Sequence, residues 1–131
     1  MRHFRKVLGV AVGAAFCAAS MQASAQVPDT IKVGILFSLT GGNAVYGASG
    51  LAGTKMAVEE INKAGGIAGK RIQMVVSDDQ TDSAKAVGEA IRQATSEKVH
   101  VVIGPLTSQL TLAVGPTFTQ NKILYITSAG S

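Results

Sequence analysis

Short β-branched runs alternate along this chain with longer stretches whose apolar residues recur every three or four positions. Ile31 to Ser38, IKVGILFS, is an apolar run of strand length, set between Pro28-Asp29 and Thr40-Gly41-Gly42-Asn43. From about Gly47 to Ala64 the period becomes helical. Leu51, Thr54, Ala57, Val58, Ile61 and Ala64 share a face, Lys55, Glu59 and Lys63 fall outside it, and Gly65-Gly66 supplies a left-handed stop. Arg71 to Asp78, RIQMVVSD, is a second strand, followed by a polar turn in which Asp82 or Ser83 is placed to cap the next helix. That helix is expected to run to about Lys98 and to bury Ala84, Val87, Ala90, Ile91 and Ala94. Val99 to Gly104 predicts a third strand, Thr107-Ser108 a cap signal with a helix to about Asn121, and Ile123 to Ser128 a fourth strand.

Four strands alternating with three helices at even spacing, joined by right-handed crossovers, predict a doubly wound α/β fold with a parallel sheet and helices on both faces. The sequence ends at Ala129-Gly130-Ser131, just past a strand and without the helix that would cover that part of the sheet, so the expectation is an incomplete domain.

Residues 1 to 25 break this rhythm. Arg2, Arg5 and Lys6 precede an apolar run from Val7 to Ala19, and small residues follow at Ala23-Ser24-Ala25. That order is a secretory signal peptide with cleavage after Ala25. The apolar run falls short of the ~20 residues that span a bilayer, so no stable membrane insertion is expected after cleavage. Cys17 follows bulky Phe16, which argues against lipid modification there.

Cleavage leaves 106 of the 131 residues and removes the single cysteine, so the mature chain has neither a disulfide nor a thiolate metal site. Three of the twelve Lys and Arg also leave, giving nine bases against eight acids; this near-neutral balance does not support nucleic-acid binding.

In open parallel sheets, ligands bind beyond the carboxyl ends of the strands, where strand order reverses. That selects Leu39 to Gly47, Pro105 to Ser108, and Ala129 to Ser131. Their side chains include Thr40, Asn43, Tyr46, Thr107, Ser108 and Ser131, all neutral hydrogen-bonding groups that offer no general acid or base. Hydroxyls beside a helix amino terminus suit a carboxylate, because backbone N–H groups and the helix dipole already point at the anion. Ser108 reads either as such a contact or as an ordinary helix cap, and Tyr46 either as a pocket wall or as a cover for the sheet edge.

Other motifs fail on spacing. Gly65-Gly66-Ile67-Ala68-Gly69-Lys70 has Arg71 where a phosphate loop needs Ser or Thr, and it joins a helix to a strand. The glycines at 41, 42, 47, 50 and 53 do not give the dinucleotide fingerprint, so no cofactor is expected. Asp78, Asp79 and Asp82 lack the alternating oxygens of a calcium loop and read as a strand end and a cap. His100, alternating with Val99 and Val101, reads as a packed or edge histidine.

The blocks IKVGILFSLTGGNAVYG, AVEEINKAGGIAGKRIQMVVSDDQTD, VVIGPLTSQLT and ILYITSAGS, in this order behind an export signal, resemble type I periplasmic binding proteins for leucine, isoleucine and valine. The resemblance covers residues 30 to 131. It implies that residues 26 to 131 are a partial amino-terminal lobe with the second lobe absent, that Ser108, Ala129 and Ser131 contact the α-carboxylate or ammonium of an amino acid, and that Tyr46 lines the side-chain pocket. Thr107, on the loop after the third strand, is a further ligand-binding candidate. The resemblance also implies a periplasmic location, an ABC transporter permease as partner, and binding without catalysis. A receptor's ligand-sensing domain shares this architecture, and an exported enzyme on a similar sheet is the further alternative. Two positions depart from the family: Thr81 and Thr107 stand where some members carry a bridging cysteine pair, and Gly42 stands where Pro is often found.

Overall fold

The computed structural model describes residues 30–129. Residues 26–29, Gly130, Ser131 and the expected leader lie outside them. Strand β1 is Thr30–Phe37, followed by helix α1 (Ala44–Lys63) and strand β2 (Arg71–Asp78). Helix α2 (Ser83–Ile91) runs on into a π-helical turn, Arg92–Ser96. Strand β3 (Val101–Ile103), helix α3 (Ser108–Gln120) and strand β4 (Leu124–Ile126) complete the order.

All pairings are parallel, and the strand order is β2-β1-β3-β4. Eight residues of β1 align with β2, from Thr30 opposite Arg71 to Phe37 opposite Asp78, which brings the ends of the two strands level. β3 and β4 are shorter than the apolar runs that contain them. β3 pairs with β1 only over Val33 to Ile35, and its own three residues are all that β4 can match.

Two apolar layers sandwich the sheet. On one side Leu36 and Val102 pack with Ala86 and Ala90 of α2 and with Leu110, Val114 and Phe118 of α3. On the other, Val33, Ile35 and Phe37 meet Leu51 of α1 with Met74, Val101 and Ile103. β1 contributes to both layers, as its continuous apolar sequence requires. Pro116 interrupts α3, yet the helix persists because Val114 and Phe118 on either side of it are fully buried. The carbonyl that Pro116 deprives of a donor belongs to Leu112, which is 78% exposed, so water can serve it.

The helix faces differ from the pattern. In α1 the row facing the sheet is Gly47, Leu51, Thr54, Val58 and Asn62; Ala57, Ile61 and Ala64 are exposed. Asn62 replaces an apolar contact with two hydrogen bonds to the start of β2, donating to the Ile72 carbonyl (2.9 Å) and accepting from the Ile72 N–H (2.7 Å). In α2 the buried residues are Ala86 and Ala90, whereas Ala84 and Ile91 face solvent. The π-turn carries Gln93 into the interior, where it donates to the carbonyls of Ile35 and Val75 and to Ser77 Oγ. Gly34 makes room for it, since a Cβ there would stand 2.4 Å from Gln93 Oε1.

Candidate functional site

The sheet's direction of growth reverses between β1 and β3. The chain leaves β1 for α1 on one face and leaves β3 for α3 on the other, so the carboxyl ends of these adjacent strands are the switch point, where open α/β sheets place a ligand crevice. The β1–α1 loop, the β3–α3 loop and the segment after β4 all follow strand ends at this rim.

Tyr46 lies in the first turn of α1 and is 71% exposed, so it stands free of the sheet edge it was also expected to cover. Its placement depends on Gly47, whose added Cβ would fall 1.9 Å from the Ser38 carbonyl; only glycine lets α1 start this close to β1. Across the crevice the cap of α3 is Thr107, whose Oγ1 accepts from the Leu110 N–H at 3.4 Å. Ser108 is therefore the first helical residue, half-buried on the opening turn, and the reading of Ser108 as the cap itself is corrected. The first turn of α3 contains no acid to oppose an anion at the positive end of the helix dipole.

Ala129 is tied to this loop by a residue the sequence reading passed over. Thr127 Oγ1 donates to the Pro105 carbonyl at 2.6 Å and accepts from the Ala129 N–H at 3.0 Å. Thr111 Oγ1 lies 3.1 Å from the same oxygen and donates to the Thr107 carbonyl at 2.8 Å. One hydroxyl thus joins the segment after β4 to the loop after β3. Gly104, at φ +111, turns the chain out of β3 into this loop; a Cβ there would stand 2.0 Å from the Leu36 carbonyl. Ser131 lies outside the described residues.

The β1–α1 side is held by acids. Asp78 accepts from the N–H groups of Leu39 (2.8 Å), Thr40 (3.1 Å) and Gln80 (2.9 Å) and from the Thr40 hydroxyl (2.6 Å). Burial pushes the Asp78 pKa up, but the Thr40 hydroxyl and the amides of Gln80, Thr40 and Leu39 outweigh burial and leave it below the ordinary 3.8. Asp79, fully buried, takes the Ser38 hydroxyl and the Thr81 N–H. Thr81 accepts in turn from the Asn43 N–H (3.1 Å). Asp82 caps α2 through the Lys85 N–H (2.8 Å), as the polar turn predicted.

His100 sits at the opposite rim, where Nδ1 accepts from the Lys32 N–H (3.0 Å) and its own N–H donates to the Lys32 carbonyl (2.9 Å). It is an edge histidine. No group of three or more metal-ligating side chains occurs among the described residues, and no described helix is long and apolar enough to cross a membrane.

A parallel sheet with helices on both faces, and a crevice of hydroxyls and helix amino termini at its switch point, defines the class of open α/β ligand-binding lobes. Residues 30–131 match the family model described as periplasmic binding protein, and the chain belongs to that family. It is 38% identical over 96 residues to Leu/Ile/Val-binding protein homolog 1 of Brucella abortus, covering 73% of this chain and 26% of that protein. Among solved structures it resembles the branched-chain amino acid transporter substrate-binding protein LivJ of Streptococcus pneumoniae in complex with isoleucine. The TM-score there is 0.75 and the identity 38%, over 76% of this chain and 29% of that one. It also resembles an ABC transporter solute-binding protein of Rhodopseudomonas palustris in complex with 3,4-dihydroxybenzoic acid. That likeness has a TM-score of 0.68 and 31% identity, covering 78% and 28% of the two chains. The chain thus spans between a quarter and a third of each of these relatives.

Proposed function

We propose that this chain supplies one wall of the solute pocket of an exported binding protein that delivers a branched-chain or related amino acid to the permease of an ABC importer in the periplasm. The observation that carries this reading is the division of labour at the strand ends. Asp78 and Asp79 are turned into the scaffold and occupied by loop donors, while Thr107, Ser108, Tyr46 and the Ala129 backbone border the crevice. Hydroxyls and backbone donors of this kind can grip a small zwitterion through its carboxylate.

In this reading the solute carboxylate lies at the opening turn of α3, held by the Ser108 hydroxyl and the helix dipole. Ala129 and Ser131 complete the polar contacts, and Tyr46 lines the side-chain pocket. Binding by an open lobe alone is weak, since small ligands need most of their surface enclosed. The 3,4-dihydroxybenzoic acid complex of the Rhodopseudomonas relative supports a second solute class, aromatic acids.

The test is calorimetry on the full-length gene product against branched-chain amino acids, amides and aromatic acids. Ser108→Ala is expected to weaken the best solute by about tenfold or more, the effect of losing a hydrogen bond to a charged group. No heat and no thermal shift with any member of the panel would count against the assignment.

A further inference from the structure

Helix α1 starts without a side-chain cap: Asn43, at its N-cap position, makes no such bond. What fixes the start of this helix comes instead from the turn after β2, some forty residues away in sequence. We infer that Asp78 is a positioning residue for the solute pocket, its carboxylate clamping the β1–α1 loop at the height that brings Tyr46 to the crevice. This rests on the solute-binding reading above.

Three of the four hydrogen bonds to Asp78 come from the other loop, from the Leu39 and Thr40 amides and the Thr40 hydroxyl, and only the Gln80 amide belongs to its own turn. A side chain serving its own turn alone would show the reverse proportion. A carboxylate offers about four acceptor sites, so these bonds leave little capacity for a solute ammonium, and Asp78 acts through the loop.

Two further contacts make the clamp continuous. Gly41, at φ +79, lies so close to the β2–α2 turn that a Cβ on it would stand 2.3 Å from the Gln80 carbonyl. Thr81 Oγ1 accepts from the N–H of Asn43, the residue next to α1. The segment from Leu39 to Asn43 is thereby bonded near both ends to one turn. Tyr46 follows Asn43 by three residues, and its N–H donates to the Asn43 carbonyl at 3.0 Å. A displaced loop therefore carries the aromatic ring with it.

The experiment compares the full-length wild type with Asp78→Asn, Thr40→Val and Asp82→Ala, reading amide hydrogen exchange and isoleucine affinity by calorimetry. Asp78→Asn is expected to speed exchange at Leu39 and Thr40 and to raise the isoleucine Kd about tenfold, as when a tenth of the molecules hold the competent loop. Thr40→Val, which removes one bond and keeps the side chain's shape, is expected to raise it about threefold by the same argument. It keeps the test open should Asp78→Asn not fold. Asp82→Ala removes the α2 cap and lowers stability while leaving affinity unchanged. Isoleucine binding that is the same in wild type, Asp78→Asn and Thr40→Val overturns the inference, as does unchanged exchange at Leu39 and Thr40. A wild type that binds nothing in the wider solute panel, with faster exchange in Asp78→Asn, refutes the solute reading and leaves the clamp as a purely structural device.

Discussion

The two sides of the crevice solve one mechanical problem with different chemistry. Both must hold a loop against a neighbouring strand end. The β1–β2 side does so with carboxylates, Asp78 and Asp79, each accepting donors from the neighbouring loop and from its own turn. The β3–β4 side does so with hydroxyls alone, Thr107, Thr111 and Thr127, relaying between carbonyls and amides. The difference follows from where negative charge is tolerable. An ionised acid beside the opening turn of α3 would compete with an incoming carboxylate for the helix dipole, whereas neutral hydroxyls leave that field intact. The first turn of α3 itself contains no acid, and Asp78 and Asp79 accept from the backbone amides and hydroxyls of the β1–α1 loop and of their own turn.

The strongest way to break this comparison is to remove the glycines that let each loop approach β1. Gly47→Ala on one side and Gly104→Ala on the other each force a Cβ to about 2 Å from a β1-end carbonyl. Each is expected to destabilise the fold by about 3 kcal/mol or more, with Gly104→Ala adding the strain of positive φ. Denaturant melts showing less than about 1 kcal/mol for either would mean the loops sit further from the strands than described.

Next in size are the polar ties themselves. Asp78→Asn should cost about 2 kcal/mol near neutral pH, and Thr127→Val about 1 kcal/mol, because charge-assisted hydrogen bonds are the stronger kind. Equal costs at the two positions would erase the distinction between the two sides.

The smallest effect separates them by titration. The folded-state pKa of Asp78 is depressed, so its contribution is fully present above the unfolded value of about 4 and is lost as pH falls through the lower folded value. The stability difference between wild type and Asp78→Asn should therefore shrink as pH drops below about 4, while that between wild type and Thr127→Val should stay flat. Chemical-denaturation midpoints across an acid series measure both.

Much of this architecture was legible in the chain. β2 runs from Arg71 to Asp78 as expected because a tight glycine turn and an acidic turn punctuate it at both ends. The crossover rule led to parallel strands with helices on both faces, and so to three loops at one rim, but the order β2-β1-β3-β4 was not legible in it. The misreadings came from polar residues that do the work of apolar ones. Gln93 had no place on the expected buried face of α2, which was drawn through Ala84 and Ile91; a hint of its burial is Gly34, an odd residue inside an apolar strand. Asn62 misled in the same way at α1. Of the candidate residues, Tyr46, Thr107, Ser108 and Ala129 fall just past β1, β3 and β4 as expected, because strand ends can be counted. Asp78 and Thr127 escaped as site-forming residues because their bonds cross 38 and 22 residues and leave no periodic trace.

The central claim is tested most directly by a crystal structure of the full-length protein with isoleucine. The account predicts the solute carboxylate within hydrogen-bond distance of Ser108 at the start of α3, with its side chain against Tyr46. Isoleucine seated instead at the opposite rim, near Lys32 and His100, would contradict it.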